Sequence, residues 1–340
     1  MTTTTTAPVE LDATLGGSVP PWRAYLPVLL AALPLALLPL LFGDSRTYMG
    51  LATGLLVAAG YAAGFNVIFG MTGQLFLSIG ALGGVGGYAC AILADRIGLP
   101  VVAAILAGTL LASALGALFS WVSVRRSLDV IFTGIVTLTF SLGFENLLLG
   151  QRELTGGEDG MRVEAGQDLF IGELVPGYYA ILVALIGFLV LFRFLERSHY
   201  GWAFRALKDD ETTAELAGVD VARYRIHAGA IGSAMVGLTG ALYALNEGRV
   251  TPTAFEFAGV DVSSLVILAF GGLGTLLAPV IGATFFALLE EFVLRDLGTL
   301  RIAVYGLILT ALFLFFRDGI TGLVGRLRGR NDHLGPNRPV

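Results

Sequence analysis

The stretch Tyr178-Tyr-Ala-Ile-Leu-Val-Ala-Leu-Ile-Gly-Phe-Leu-Val-Leu-Phe-Arg-Phe-Leu195 gives the clearest indication of fold class in this sequence of 340 residues. Between Leu182 and Phe192 it has no polar side chain and no alternation of polar with apolar positions. A strand of an outer-membrane barrel would alternate, whereas a helix that crosses a bilayer needs roughly 20 predominantly apolar residues in succession. The stretch therefore predicts a membrane-spanning helix, and with it an all-α integral membrane protein.

The same apolar character recurs along most of the chain. Hydrophobic residues make up 55% of the sequence and charged residues only 14%, and the mean hydropathy is +0.79. Such a chain has too little polar surface to fold in water. We predict a polytopic bundle of about ten transmembrane helices, at residues 24–42, 48–69, 75–93, 101–122, 130–149, 178–195, 228–245, 260–273, 276–293 and 302–316.

The distribution of basic residues predicts the orientation, because cytoplasmic loops of membrane proteins are enriched in Lys and Arg. The segment from 193 to 225 contains six basic residues, and the segment after the last predicted span contains five. The loop from 150 to 177 carries two Arg against six acidic residues. We expect the two basic segments in the cytoplasm and the acidic loop outside, which places both termini in the cytoplasm for an even number of spans.

By composition the chain divides into three parts. Residues 1–22 are expected to form a disordered cytoplasmic tail. Residues 23–320 are expected to form the membrane domain, with a cytoplasmic loop at 196–227, and residues 321–340 a basic cytoplasmic tail.

Several kinds of catalytic site are excluded by residue counts. Cys90 is the sole cysteine, Lys208 is the sole lysine, and the three histidines lack the spacing of a metal site. Lys208 does not stand in a phosphate-binding loop, so the chain has no ATPase site of that type. We expect no enzyme activity, no cofactor, no metal and no nucleic acid partner.

A charged segment, Arg205-Ala-Leu-Lys-Asp-Asp-Glu-Thr-Thr-Ala-Glu-Leu-Ala-Gly-Val-Asp-Val-Ala-Arg-Tyr-Arg225, separates two of the apolar blocks. Asp210 is a suitable N-cap for a helix from Glu211 to Ala217, and Gly218 can end that helix in the left-handed conformation. A helix of two turns is unstable alone in water, so it must pack on the spans or on a partner protein. A loop of mixed charge that is merely solvated is the alternative that residue chemistry leaves open.

This segment is similar to the cytoplasmic loop in the permease subunits of ABC importers for branched-chain amino acids, a family that also includes urea and short-chain amide permeases. The resemblance is closer to the longer, M-type member of the two paired subunits. It extends to Leu154-Thr-Gly-Gly-Glu-Asp-Gly-Met161, Gly240-Ala-Leu-Tyr-Ala244 and Val266-Ile-Leu-Ala-Phe-Gly-Gly-Leu-Gly-Thr275, in the family's order and spacing.

The resemblance implies a transport subunit of the bacterial cytoplasmic membrane that does not transform its solute chemically. The implied partners are a second homologous permease, two ATPase subunits that bind ATP and Mg²⁺, an extracytoplasmic solute-binding protein and a small hydrophobic amino acid such as leucine, isoleucine or valine. The residues implied in coupling to the ATPase are Arg205, Asp210, Glu211, Ala214, Glu215 and Gly218. The candidates for docking the binding protein are Thr155, Gly156 and Gly157.

Two glycine-rich segments resemble each other, Phe69-Gly-Met-Thr-Gly-Gln-Leu75 and Phe270-Gly-Gly-Leu-Gly-Thr-Leu276. Paired, glycine-interrupted helices mark the central site of many transporters, because broken helices turn backbone dipoles toward a cavity. The predicted translocation path is lined by Asn66, Gly70, Gly73, Gln74, Ser78, Gly271, Gly272 and Gly274. The alternatives are that these glycines only allow close helix packing, that the polar groups bond neighbouring helices, and that residues 70–78 form a cytoplasmic turn.

Departures from the family pattern leave the solute open. Thr213 stands where relatives often have a second alanine, Ala278 stands where they have glycine, and no Gly-His follows Ser78. A urea or short-chain amide permease is therefore an alternative. A secondary transporter driven by an ion gradient belongs to a different class, and it would need an ionisable residue within the membrane that the sequence does not make evident.

Overall fold

The computed structural model describes residues 25–43, 45–167, 170–291 and 304. The helices are α1 (Leu26–Phe42), α2 (Arg46–Phe65), α3 (Ile79–Ala91), α4 (Val101–Arg125), α5 (Val130–Gly150), α6 (Arg152–Thr155), α7 (Leu174–Arg197), α8 (His199–Asp209), α9 (Glu211–Leu216), α10 (Val221–Glu247), α11 (Val262–Gly271) and α12 (Ala278–Leu289). Two short strands, β1 (Met161–Arg162) and β2 (Arg249–Val250), pair antiparallel. The predicted all-α architecture is confirmed.

Six helical segments among the described residues are long and apolar enough to cross a membrane, namely Arg46–Met71, Val101–Arg125, Val130–Gly150, Leu174–Arg197, Val221–Glu247 and Pro252–Gly271. The helices α1 and α12 are apolar but shorter. Both predicted tails, and the tenth predicted span apart from residue 304, lie outside the described residues. The number of about ten spans therefore stays a prediction.

The core of the bundle is built around α10, which packs against α2, α3, α4 and α7. The backbones of these helices touch, because glycines face one another at the crossings. A Cβ atom on Gly86 would overlap the backbone of Gly237, and a Cβ atom on Gly240 would overlap the backbone of Gly83. Small residues that let backbones approach closely are the usual means of packing helices in a membrane.

Two helices are interrupted at the places where the sequence repeats its glycine pattern. The helix α2 continues as a π-helical segment over Asn66–Met71, and the chain is irregular from Gly73 to Ser78 before α3 begins. The second interruption separates α11 from α12. We call these segments the first break (residues 66–78) and the second break (residues 272–277). The third predicted span consequently begins as a helix four residues later than the sequence suggested.

The helix predicted from Glu211 to Ala217 is present as α9. Asp210 caps it, since its carboxylate accepts hydrogen bonds from the backbone N–H of Thr212 at 2.9 Å and from the hydroxyl of Thr213 at 2.7 Å. These bonds, above all the hydroxyl bond, hold the pKa of Asp210 below its usual value. The helix ends at Leu216, and Gly218, two residues later, turns the chain with a φ of +86°. Capping chemistry thus explains why a helix this short forms.

Candidate functional site

The two breaks meet each other through the side chain of Asn66, which is fully buried. Its amide Nδ2 donates a hydrogen bond to the carbonyl of Thr275 at 2.9 Å, and its Oδ1 accepts one from the backbone N–H of Gly274 at 2.8 Å. Both ends of this amide therefore satisfy backbone groups that the second break leaves without helical partners. Asn66, predicted as path-lining, joins the two breaks across 208 residues of sequence.

Gly70 and Gly274 lie directly against each other at the same place. A Cβ atom on Gly274 would stand 2.8 Å from the carbonyl oxygen of Gly70, and one on Gly70 would stand 2.8 Å from the backbone nitrogen of Gly274. Gly274 also has a φ of +80°, which disfavours any other residue. We call the group Asn66, Gly70, Gly274 and Thr275 the break junction.

A chain of polar contacts links the short helix α9 to the first break. The Glu211 carboxylate lies 2.8 Å from the guanidinium of Arg225, near the start of α10. The carbonyl of Arg225 accepts a hydrogen bond from Gln74 Nε2 at 3.0 Å, and the same Nε2 donates to the hydroxyl of Thr72 at 3.1 Å. The predicted coupling residue Glu211 and the predicted path residue Gln74 are thus separated by a single residue, Arg225.

The remaining coupling candidates surround α9 in distinct ways. Ala214 is buried and fixes the inner side of the helix, whereas Glu215 and Leu216 are exposed, Leu216 to 86%. Arg205 stays on α8, where its Nε donates to the carbonyl of Gly201 at 3.1 Å and its guanidinium lies over the ring of Trp202. The result is a small helix with one anchored side and one free surface.

The sole lysine reaches the break junction from α8. Lys208 Nζ donates a hydrogen bond to the carbonyl oxygen of Gly70 at 2.8 Å. Neither Lys208 nor Arg225 is among the site residues predicted from the sequence. Their positions in the charged segment are evident from the sequence, but their partners 138 and 151 residues away are not.

A buried carboxylate, Asp261, lies near the start of the predicted span 260–273 and is not among the site residues predicted from the sequence. Asp261 is 1% exposed and belongs to the candidate span Pro252–Gly271. Its two oxygens accept hydrogen bonds from the backbone N–H groups of Ile79 at 2.5 Å and Gly80 at 3.1 Å, at the first turn of α3. Ser78, the N-cap residue of α3, makes no capping bond of its own. Asp261 therefore caps α3 from a distant part of the chain.

Comparison with known proteins decides the family. Residues 47–316 match the family model described as "Branched-chain amino acid transport system / permease component". The chain belongs to this family. It is 27% identical over 306 residues to the high-affinity branched-chain amino acid transport system permease protein LivM of Escherichia coli (strain K12), covering 82% of this chain and 71% of LivM.

Two further relatives carry the same kind of name. The permease protein BraD of Pseudomonas aeruginosa is 26% identical over 297 residues, which are 81% of this chain and 95% of BraD. The permease protein LivH of Escherichia coli (strain K12) is 25% identical over 286 residues, which are 78% of this chain and 90% of LivH. No solved structure matches this permease.

Thr155, Gly156 and Gly157, the candidates for docking a binding protein, form a tight turn in this permease. The Thr155 hydroxyl is buried and donates to the carbonyls of Leu148 at 2.6 Å and Gln151 at 2.9 Å. Gly156 has a φ of +79°, and Gly157 is buried. The neighbouring Glu158 and Asp159 are exposed. The turn therefore presents its two acids to the surroundings, while Thr155 and its glycines set the backbone.

Proposed function

We propose that this chain is the permease subunit of an ATP-driven importer of leucine, isoleucine and valine in a bacterial cytoplasmic membrane, with both termini cytoplasmic. In this proposal it works with a second homologous permease, two ABC ATPase subunits and an extracytoplasmic solute-binding protein. The family match and the branched-chain amino acid transport systems to which LivM, BraD and LivH belong support the transport role and the choice of solute. ATP is hydrolysed by the partner ATPases, and this subunit supplies the membrane passage.

The observation that carries the coupling role is the contact chain from Glu211 through Arg225 to Gln74. Closure of the ATPases presses on the exposed surface of α9, which offers Glu215 and Leu216. The ion pair passes this displacement to Arg225, and the carbonyl of Arg225 passes it to Gln74 in the first break. Movement of a short surface helix is thereby converted into movement of a membrane helix end.

The break junction is proposed as the cytoplasmic gate of the path. Asn66 is used at both ends of its amide, so in this conformation it closes the junction and offers no free group to a solute. The hydroxyl of Ser78 and the Oε1 atom of Gln74 are buried, and neither has a hydrogen-bond partner in the protein. These two groups are the ones in the first break that remain available to a solute or to water.

On the outer side, Glu158 and Asp159 are proposed to meet the solute-binding protein.

The buried acid does not favour an ion-driven mechanism. A carboxylate that couples transport to an ion gradient must exchange its ion during the cycle. Both oxygens of Asp261 are instead occupied by backbone N–H groups of α3. A structural cap is the simpler role for this residue.

Reconstitution tests the proposed function directly. The full complex, with its partner permease, ATPases and co-encoded binding protein, is placed in proteoliposomes, and radiolabelled leucine, urea and acetamide are offered separately. We expect leucine uptake that requires both ATP and the binding protein, with no uptake of urea or acetamide. Uptake of urea or acetamide in place of leucine would move the protein to the other branch of the family. Leucine uptake that follows an ion gradient without ATP would refute the importer class.

The helix α5 provides a surface for the second permease. Its exposed positions include Thr139, Gly143 and Asn146, which lie on one helical face at spacings of four and three residues. Thr139 and Asn146 donate only to carbonyls of their own helix, at Ile135 and Leu142. Polar groups facing hydrocarbon are costly, and a glycine between them allows another helix to come close. This face is therefore proposed to contact the partner permease.

The helix α5 also exposes large apolar side chains such as Ile131 and Leu147, so its polar positions are what set it apart. The large side chains exposed on α4 include Val102, Leu106 and Leu110, and those on α1 include Leu30 and Leu40. Such surfaces suit lipid acyl chains.

Site-specific photo-crosslinking distinguishes the two kinds of face. A benzophenone maleimide is attached to the Thr139→Cys variant, in which the remaining cysteine, Cys90, is buried. We expect illumination of membranes to yield a product that contains both permeases. The matched control is Leu110→Cys on α4, a position that is 67% exposed and should label without joining the partner. A partner product from the Leu110 variant alone would place the interface on α4.

A further inference from the structure

We infer that Lys208 is the positioning residue that carries movement of the cytoplasmic helices to the break junction, an inference that rests on the proposed function. Its ammonium group is held 2.8 Å from the carbonyl oxygen of Gly70, in the first break. The contact joins α8 to a membrane helix 138 residues earlier in the chain. The contact is a second connection between the charged segment and the first break, in addition to the contacts from Glu211 through Arg225 to Gln74. It reaches Gly70 and not Gln74.

The carbonyl of Gly70 is a suitable receiver for a cation. It belongs to the last turn of the π-helical segment Asn66–Met71, after which the helix ends. Carbonyls in the last turn of a helix lack intrahelical donors and carry the negative end of the helix dipole. An ammonium group placed there both donates a hydrogen bond and neutralises that partial charge.

The same ammonium group lies beside the second break. A Cβ atom on Gly274 would stand 3.4 Å from Lys208 Nζ, an ordinary contact distance, so the ammonium group lies directly against the second break. The backbone N–H of Gly274 donates a hydrogen bond to Asn66, and Asn66 donates one to the carbonyl of Thr275. The position of Lys208 is therefore linked to both sides of the break junction.

The attachment of α8 to α9 explains how the ammonium group would be moved. A single residue, Asp210, separates the two helices, and its carboxylate caps α9. On its inner side α8 is anchored by Phe204 and Leu207, which are buried. Force on α9 therefore reaches the last turn of α8, where Lys208 lies. Displacement of this turn draws the ammonium group away from Gly70 and frees the break junction to open.

Transport stoichiometry tests this role, because a purely structural role would lower ATP hydrolysis and uptake together. In proteoliposomes with the full complex, leucine uptake and ATP hydrolysis stimulated by the loaded binding protein are measured in parallel. For Lys208→Met we expect ATP hydrolysis to be retained. The leucine transported per ATP should fall about fivefold or more, since fivefold is the lower end of typical coupling effects. Lys208→Arg should restore the ratio, since its guanidinium can also donate to a carbonyl.

A matched control and a second variant make every result decisive. Arg126→Met removes an exposed cation between α4 and α5 and should leave the ratio unchanged. An unchanged ratio in Lys208→Met, with an active wild type, would overturn the role of Lys208 alone. If the Met variant does not reach the membrane, Lys208→Gln replaces it, because Gln keeps a neutral donor. This variant should show an intermediate ratio of leucine to ATP. A wild-type ratio in the Gln variant would overturn the inference. A wild-type complex that hydrolyses ATP without moving leucine would instead refute the proposed function.

Discussion

Replacing Glu211 by Lys is expected to remove most of the solute uptake while the subunit still enters the membrane. The Glu211 carboxylate lies 2.8 Å from the guanidinium of Arg225, whose side chain is only 11% exposed. A lysine at position 211 sets a second cation beside that guanidinium, and the repulsion moves α9 away from α10. Most residues of α9 are exposed and only Ala214 is buried, so the bundle itself should be little affected.

The expected loss is large because α9 is the proposed contact with the ATPase. Coupling free energies between sites typically correspond to factors of about 5 to 150, so uptake should fall below about a fifth of the wild-type rate. ATP-dependent leucine uptake by the reconstituted complex measures this, and the amount of subunit in the membrane fraction is the control. Gly218→Pro gives a test that does not depend on charge, since proline cannot adopt the φ of +86° found there. Wild-type uptake in both variants would remove the coupling role from α9.

A charge exchange separates two ways in which Glu211 could act. The double variant Glu211→Lys with Arg225→Glu restores an ion pair of opposite polarity, and it should recover much of the uptake if the pair itself passes force to Gln74. If the single variant is inactive and the double variant is equally inactive, Glu211 acts on the ATPase directly. The importer function would then stand, but the route through Arg225 would not.

The features that the sequence predicted well are local ones. The span Tyr178–Leu195 lies inside α7, because an unbroken apolar run of this length has no other stable arrangement in a bilayer. The helix α9 was predicted to within one residue, since the capping oxygen of Asp210 and the terminating Gly218 stand next to the backbone groups that they serve. A single sequence contains all the information that such features need.

The contacts that build the candidate site are not local. Asn66 and Gly274 are 208 residues apart, and Asp261 and Ile79 are 182 residues apart, so no spacing rule brings either pair together. The resemblance between the two glycine-rich segments indicated helix breaks, but it could not show that the breaks pack against each other. The sequence also could not show that the amides of Asn66 and Gln74 bind backbone groups. The residue type is the same whether the side chain faces a cavity or a neighbouring helix.

Asp261 shows how burial changes the meaning of a residue. In the sequence it stands at the start of a predicted span, where an acid is ordinarily at the membrane surface. In the structure it supplies the cap that Ser78 does not supply to α3. The helix dipole favours a negative charge at this end, so the carboxylate stabilises α3 while α3 solvates the carboxylate. The two groups depend on each other, and neither reveals the other in the sequence.

Replacing Asp261 by Leu is therefore expected to remove most of the folded permease from the membrane. The backbone N–H groups of Ile79 and Gly80 would lose their acceptor in a buried site, and each orphaned donor costs about 1–3 kcal/mol. For the two donors this is about 2–6 kcal/mol, a large fraction of the roughly 5–15 kcal/mol by which proteins are typically stable. The yield of detergent-solubilised, monodisperse subunit and its thermal unfolding temperature measure the effect.

Two matched variants identify the cause of that loss. Asp261→Asn keeps one acceptor oxygen and nearly the same volume, so its unfolding temperature should lie between those of the wild type and the Leu variant. Glu158→Leu removes an exposed acid from the turn after Thr155 and should leave yield and unfolding temperature unchanged. If the Leu variant at Asp261 is as stable as the wild type, the cap is unimportant for folding. An Asn variant as unstable as the Leu variant would show that one acceptor oxygen does not suffice and that α3 needs both oxygens of the Asp261 carboxylate.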